Sequence, residues 1–198
     1  SRCLAKAGVC FCFAIHHHPA MKHAIGPRRS LGFPTIFNIL GPLTNPAGTD
    51  RQLIGVYSPE LVPLVAEALA GLGASHAIVA HGFDGMDELS TTSPTMLAHV
   101  EDGIVAQEQI TPDQLGITRT TLESLRAQTV QEAAQIIKDI FAGKPGPHRD
   151  IVLLNAAAAL LVAGVESEFS PALARAAEAI DSGKTQDTLA RLAAISAQ

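Results

Sequence analysis

The chain has 198 residues, which is enough for a domain with a substantial core. Hydrophobic residues make up 47%, which is typical of a globular chain and not of a disordered one. Aromatic residues make up only 4%, so the core is predicted to consist mainly of aliphatic side chains and alanine. The formal net charge of −5 argues against nucleic acid as a partner, because binding to phosphates needs a basic face. No apolar run reaches the roughly 20 residues of a membrane span, and three cysteines without an even framework are typical of a reducing, cytoplasmic setting.

The first residues are predicted to be the end of a helix followed by a buried strand. Residues 2–6 (RCLAK) precede Gly8, and glycine commonly ends helices. Residues 9–15 (VCFCFAI) are wholly apolar, which is typical of a strand covered on both faces in a parallel sheet. Three histidines follow at 16–18. Their side chains diverge on an extended chain, so ordinary loop histidines are favoured over metal ligands.

Residues 18–48 are rich in proline, glycine and asparagine. Glycine lets backbone approach a ligand, and proline fixes a loop, so the composition fits a binding loop on a rigid scaffold. A long structural crossover would have the same composition, and both interpretations stay open. Within this stretch, residues 41–46 (GPLTNP) are predicted to be irregular.

A β-α-β unit is predicted next. Residues 52–58 (QLIGVYS) and 76–80 (HAIVA) have the pattern of strands. The helix between them is predicted to begin with Ser58 as N-cap and Pro59 at its first position, and to end near residues 71–73. Such a unit implies a right-handed crossover and a parallel sheet.

An acidic loop follows the second of these strands. It contains Asp84, Asp87 and Glu88 together with two glycines. Ligands of parallel α/β sheets bind beyond the carboxyl ends of strands, and Mg²⁺ prefers one or two carboxylates completed by waters and phosphates. The adjacent Asp87 and Glu88 therefore form a candidate magnesium site. A solvated acidic turn is the alternative.

The remainder is predicted to contain a hairpin and then helices. An Asp-Gly step at 102–103 lies between two β-like runs, which indicates a hairpin. Helical patterns cover residues 129–143, 149–163, 170–180 and the final segment. Asn155 interrupts the second of these helices, which is otherwise apolar almost all round. A satisfied core amide is favoured there over a ligand contact.

Six motifs, taken together and in order, are far more specific than any one alone. They are HHPAMKHAIGPRRSLG (17–32), TIFNILGPLTNPAG (35–48), QLIGVYSPEL (52–61), DGMDELSTTSPT (84–95), NAAAALLVAG (155–164) and AIDSGK (179–184). The set resembles the anthranilate phosphoribosyltransferase family of tryptophan biosynthesis over nearly the whole chain. The resemblance implies an α/β fold with a largely parallel sheet and flanking helices, as in the large domain of pyrimidine nucleoside phosphorylases. Residues 1–198 would be the major part of that C-terminal domain, which would be incomplete here.

The resemblance also implies a reaction. The family transfers the phosphoribosyl group of phosphoribosyl pyrophosphate (PRPP) to the amino group of anthranilate, giving N-(5-phosphoribosyl)anthranilate and pyrophosphate. By the family pattern, Arg28 matches the arginine that holds the anthranilate carboxylate. His18, Gly41 and Pro42 match residues around the aromatic ring. His18 is also a candidate general base, and no other residue is assigned that role.

The same pattern assigns Asp87 and Glu88 to Mg²⁺ beside the pyrophosphate. The family's Gly-Thr-Gly-Gly-Asp loop for PRPP does not occur in this chain, nor does its Lys-His-Gly-Asn segment. Pro34 also stands where many members carry a basic residue. We therefore expect a fragment that is inactive by itself, from a cytoplasmic enzyme that forms a homodimer when full-length and binds neither nucleic acid nor membrane.

Two other functions are compatible with a similar fold. A non-catalytic relative that binds nucleic acid would have a basic groove and would lose the acceptor arginine, whereas Arg28 and an acidic balance are present. A pyrimidine nucleoside phosphorylase-like enzyme would not need the motifs of residues 17–48. The transferase is therefore favoured.

Overall fold

The computed structural model describes residues 2–11, 26, 30, 37–45 and 47–197. The helices are α1 (Arg2–Ala7), α2 (Phe37–Leu43), α3 (Leu61–Gly71), α4 (Val130–Phe141), α5 (Pro147–Val162), α6 (Phe169–Asp181) and α7 (Lys184–Ser196). The strands are β1 (Arg51–Gly55), β2 (His76–Gly82), β3 (Thr95–Glu101) and β4 (Ile104–Ile110). Short 3₁₀ turns occupy Asp113–Leu115 and Leu122–Leu125. No helix in these ranges is long and apolar enough to cross a bilayer.

The four strands form one sheet in the order β1-β2-β3-β4. β1 and β2 are parallel, as the β-α-β pattern predicted, and Leu53 pairs with Ile78. β2 pairs antiparallel with β3, and β3 antiparallel with β4. The α/β class is confirmed, and the sheet of the described residues is mixed rather than largely parallel. A tight hairpin joins β3 to β4 and allows only an antiparallel pair there.

The sheet is covered by helices on both faces. Alternate residues of β2 point to opposite sides. Ala77 and Val79 belong to a core cluster with side chains of α3, whereas Ile78 and Ala80 belong to a second cluster with α5 and α6. All four are fully buried, which explains why the strand is a continuous apolar run and not an alternating one.

The predicted hairpin is confirmed at the Asp-Gly step. Asp102 has φ 47° and Gly103 has φ 81°, so both central residues lie in the left-handed region that a two-residue hairpin turn requires. β4 is the outer strand and exposes most of its side chains, among them Gln107, Glu108 and Gln109. Polar and charged residues on an edge strand oppose pairing with another chain.

Three local predictions were wrong in whole or in part. Residues 9–11, the start of the buried strand predicted at 9–15, are exposed and lie in no strand, and residues 12–15 are outside the described residues. α3 begins at Leu61, and Ser58 does not cap it, because the Ser58 hydroxyl donates instead to the side chain of Glu60. Residues 41–46 are not irregular throughout, since α2 continues to Leu43 and includes Pro42. The helix tolerates this proline near its end, where Thr44 donates from both its N–H and its hydroxyl to the Leu40 carbonyl.

Candidate functional site

The acidic loop links β2 to β3 and is closed by its own backbone. The Gly82 N–H donates to the Met86 carbonyl at 2.8 Å, and the Phe83 N–H donates to the Pro94 carbonyl at 3.0 Å. Both bonds lie at the carboxyl end of β2, the edge at which α/β sheets bind ligands. The loop is therefore a compact turn in the position where the sequence predicted a site.

Asp84 organises the interior of this loop. Its carboxylate accepts hydrogen bonds from the Ser90 hydroxyl at 2.5 Å, from the Thr92 hydroxyl, and from the Met86 N–H at 3.1 Å. Burial alone would raise the pKa of Asp84, but these hydrogen bonds outweigh it and hold the pKa below its ordinary value. Asp84 is therefore a structural carboxylate, occupied by donors from its own loop.

Replacing Asp84 by alanine should lower the free energy of unfolding by about 2 kcal/mol, because several donors lose a charged acceptor. Asp113→Ala is the control, since Asp113 forms an exposed ion pair with Arg119 and its loss should cost less than about 1 kcal/mol. Urea denaturation of both variants measures the difference. Equal losses for the two variants would contradict the role given to Asp84.

Asp87 and Glu88 lie on the open side of the loop. Asp87 is exposed and Glu88 is half-buried. Burial raises the pKa of Glu88, and the negative charges of Asp87 and Asp84 raise it further. Among the described residues, no lysine or arginine forms an ion pair with any of these three carboxylates.

This uncompensated negative charge fits a cation. No group of three or more histidine, cysteine or acidic side chains within the described ranges is arranged to hold a metal alone. A carboxylate pair with open positions is the arrangement that Mg²⁺ uses when waters and substrate phosphates complete its shell. Asp87 and Glu88 therefore fit the predicted Mg²⁺ as a pair and would leave room for a phosphorylated ligand.

The backbone on both sides of Glu88 is in contact with other elements of the fold. A Cβ atom added to Gly55, the last residue of β1, would lie 1.5 Å from the Asp87 carbonyl oxygen. On the other side, the Asn155 side chain accepts from the Leu89 N–H at 3.0 Å and donates to the Leu89 carbonyl at 2.9 Å. β1 and α5 thus both contact the loop directly at the candidate metal pair.

The ends of β1 and β2 are also tied together by a buried histidine. His81 is 5% exposed, and its Nδ1 lies 2.8 Å from the carbonyl oxygen of Val56. Its ring meets that of Phe83 edge to face, with centroids 6.3 Å apart. This satisfied histidine keeps the two strand ends, and with them Gly55 and the acidic loop, in register.

Gly41 and Pro42 lie in the last turn of α2, with Pro42 exposed. Pro42 lines a small cavity of about 30 Å³ together with Gly55 and Tyr57. The predicted acceptor-side proline and the Asp87 backbone therefore both lie beside Gly55. His18 and Arg28 are outside the described residues, so their predicted roles stay predictions.

The residues that sequence reasoning missed are Gly55 and Tyr57. A glycine inside an apolar strand signals close approach of another backbone, and that signal was present in residues 52–58. Tyr57 lies two residues after the end of β1, is 50% exposed and lines the same cavity as Pro42. Nothing in its sequence context set it apart.

The chain matches the model of the glycosyl transferase family, a/b domain, over residues 1–186. An anthranilate phosphoribosyltransferase of Pelobacter propionicus is 48% identical over 191 residues, which are 96% of this chain and 55% of that protein. The crystal structure of the Thermus thermophilus anthranilate phosphoribosyltransferase aligns with a TM-score of 0.88 at 38% identity, over 96% of this chain and 56% of that one. The Saccharomyces cerevisiae anthranilate phosphoribosyltransferase in complex with PRPP and Mg aligns with a TM-score of 0.81 at 28% identity, over 91% and 53%.

The helix-covered sheet with its acidic loop is an α/β domain, the class of domain that this family model describes. The chain belongs to the glycosyl transferase family with the a/b domain, and its relatives named here are anthranilate phosphoribosyltransferases. The resemblance predicted from the motifs is confirmed. The chain spans about half the length of these relatives.

Proposed function

We propose that the protein containing this chain transfers the phosphoribosyl group of PRPP to anthranilate, in tryptophan biosynthesis. The observation that carries the proposal is the carboxylate pair Asp87 and Glu88, which no basic side chain of the described residues neutralises, at the carboxyl end of β2. The yeast relative was solved with PRPP and Mg, and also with 4-fluoroanthranilate, which supports the same ligands here.

Asp87 and Glu88 would hold Mg²⁺ against the pyrophosphate of PRPP. When bound, the metal supplies positive charge that stabilises the leaving pyrophosphate. Glu88 would be the more constrained ligand of the two, because it is half-buried and the backbone on both sides of it contacts other elements. Asp87 is exposed and adds charge at the mouth of the loop.

Arg28 would bind the anthranilate carboxylate, since a guanidinium pairs with a carboxylate through two hydrogen bonds. His18, Gly41 and Pro42 would surround the ring, and the Gly-Pro step would offer it a small, flat surface. Anthranilate's amine is a weak base, so its placement at the reacting sugar carbon would supply much of the rate. This effect of placement needs no general base, and His18 is the only candidate for one.

Several further properties belong to the same proposal. Residues 1–198 form the major part of a C-terminal α/β domain, and the full-length protein is a cytoplasmic homodimer. Its partners are small molecules and not nucleic acid, which agrees with the acidic composition. The remaining parts of the PRPP site are expected in regions that match the uncovered half of the relatives.

The direct test is a transfer assay with anthranilate, PRPP and Mg²⁺, followed by the loss of anthranilate fluorescence. We expect no turnover by the 198-residue chain alone. We expect turnover when the chain is joined to the part of the Pelobacter propionicus relative that it does not match. Turnover by the chain alone would contradict the expected fragment behaviour, and failure of a folded chimera to act on anthranilate would contradict the function.

In that active chimera, Arg28→Ala should raise the KM for anthranilate roughly 10- to 100-fold, because a charged hydrogen-bond pair is lost. The KM for PRPP should change little. Arg29→Ala is the matched control, since it removes the neighbouring positive charge without the assigned contact. Equal increases in the two KM values, or an equal effect of Arg29→Ala, would contradict the carboxylate role of Arg28.

A further inference from the structure

Asn155 uses its whole amide group in three hydrogen bonds. Its Oδ1 accepts from the Leu89 N–H at 3.0 Å, and its Nδ2 donates to the Leu89 carbonyl at 2.9 Å and to the Ile151 carbonyl at 3.0 Å. Both N–H donors of the amide are therefore occupied. One of the three bonds anchors the side chain to its own helix, and the other two bind the backbone of a residue 66 positions away.

The partner of this amide is the residue next to Glu88. The Leu89 N–H belongs to the peptide unit that joins Glu88 to Leu89, so Asn155 fixes the plane on the carboxyl side of Glu88. The Asp87 carbonyl belongs to the peptide unit on the amino side, and it is packed against Gly55. The dihedral angles of Glu88 are thus set between two peptide planes that other elements contact, one packed against β1 and one hydrogen-bonded by α5.

Asn155 is half-buried beside side chains that are more deeply buried than its own. Leu154, Ala157 and Ala158 of the same helix are buried at 1% exposure or less, and Leu89 is fully buried. Pairing of its polar atoms lowers the cost of removing part of this amide from water. The pairing connects α5 to the acidic loop and to no other part of the sheet.

We infer that Asn155 is a positioning residue for Glu88 and thereby sets the affinity of the Asp87–Glu88 pair for a divalent cation. This inference rests on the proposed function, because it assumes that the pair binds metal. Asn155 touches neither metal nor substrate in this assignment. It acts on the ligand's backbone, as the outer-shell partners of metal ligands do in general.

The experiment is a titration of the 198-residue chain with Mn²⁺, followed by electron paramagnetic resonance of the free ion. Mn²⁺ shares the preference of Mg²⁺ for carboxylate and water oxygens. Asn155→Ala should raise the Kd for Mn²⁺ at least about 10-fold, which is the usual effect of losing an outer-shell partner. Amide hydrogen exchange of Leu89 should also accelerate in this variant.

Leu161→Ala is the matched control. Leu161 is 7% exposed and lines a pocket with Arg51 and His76, at the ends of β1 and β2 opposite to the acidic loop, so this variant also loses a buried side chain of the same helix. When the two proteins are compared at equal fractions of folded chain, Leu161→Ala should bind Mn²⁺ with the Kd of the native chain. If Asn155→Ala does not fold, Asn155→Asp retains the acceptor for Leu89 and loses both donors. The negative charge added by aspartate would by itself strengthen Mn²⁺ binding. Binding weaker than that of the native chain would therefore indicate a changed geometry of the carboxylate pair.

The outcomes separate the inference from the function on which it rests. A selective increase in Kd for the Asn155 variants supports the positioning role. Equal Kd values for Asn155→Ala and Leu161→Ala overturn it, even if Leu89 exchanges faster. Absence of Mn²⁺ binding by the native chain, or an unchanged Kd in Glu88→Gln, overturns the metal assignment itself and the inference with it.

Discussion

Gly55→Ala is expected to destabilise the chain by about 3 kcal/mol and to weaken divalent-cation binding as well. The added Cβ would lie 1.5 Å from the Asp87 carbonyl oxygen and 2.4 Å from its carbonyl carbon. Real atoms do not approach so closely, and the atoms in the way are backbone, which has no rotamer to change. Either β1 or the acidic loop must move.

The movement would affect the candidate site directly. Gly55 is the last residue of β1, and β1 is held in place by its parallel pairing with β2. The loop is the less constrained of the two, so Asp87 is expected to shift outward and to carry Glu88 with it. Thermal denaturation and Mn²⁺ titration of the same variant measure the two effects.

Gly71→Ala is the control for this prediction. Gly71 is exposed at the end of α3, and no atom lies within 4 Å of an added Cβ. Alanine there should leave Mn²⁺ binding unchanged and stabilise the chain by up to about 1 kcal/mol, through its higher helix propensity. A Gly55→Ala variant as stable as Gly71→Ala would show that the loop adjusts freely, and the close contact would then have no importance.

The parts of the fold that were predictable from sequence are those set by local pattern. The apolar runs around α3 predicted β1 and β2 in parallel, and the Asp102-Gly103 step predicted the β3–β4 hairpin. Both depend on residues close together in sequence. Thr129 caps α4 by accepting from the Glu132 N–H, which is also a local arrangement.

The parts that were not predictable depend on tertiary contacts or on competition between side chains. Ser58 has the identity of an N-cap, but Glu60 engages its hydroxyl and the helix begins later. The antiparallel pairing of β3 with β2 depends on how the acidic loop closes, which Gly82 and Phe83 determine through backbone bonds to later residues. No periodicity in the sequence reports that closure.

The candidate site was also predictable from sequence only in part. The acidic residues were recognisable because they follow an apolar strand, and their position at its carboxyl end followed from that. The separate roles of the carboxylates were not recognisable. Asp84 is occupied by Ser90 and Thr92, whereas Glu88 is not, and only the folded loop distinguishes them. The sequence predicted Asn155 to be a hydrogen-bonded core amide, but it did not indicate the partner, Leu89, which lies 66 residues earlier.

Glu88→Gln is expected to stabilise the metal-free chain near neutral pH and to abolish most of its affinity for divalent cations. Burial, with the charges of Asp87 and Asp84, raises the folded-state pKa of Glu88 above the ordinary value of 4.5. The folded chain therefore binds more protons than the unfolded chain between these two pKa values, and stability falls as the pH rises through that window. Above the window the full penalty of the buried charge is present.

Glutamine has the same shape and carries no charge, so the variant escapes this penalty. The melting temperature of Glu88→Gln should exceed that of the native chain above the window, and the difference should close as the pH falls below about 4.5. Exposed Glu178→Gln serves as control and should change neither property. A native chain as stable as Glu88→Gln at neutral pH would contradict the effect of burial on Glu88.

Metal binding should change in the opposite direction. Loss of a charged ligand should raise the Kd for Mn²⁺ by more than the roughly 10- to 100-fold expected for an outer-shell partner such as Asn155. In the native chain, Mn²⁺ affinity should fall as the pH drops through the raised pKa of Glu88, because a carboxylate must be deprotonated to bind metal. If Glu88→Gln raises the melting temperature and lowers the affinity for Mn²⁺, the carboxylate of Glu88 serves metal binding and does not stabilise the fold.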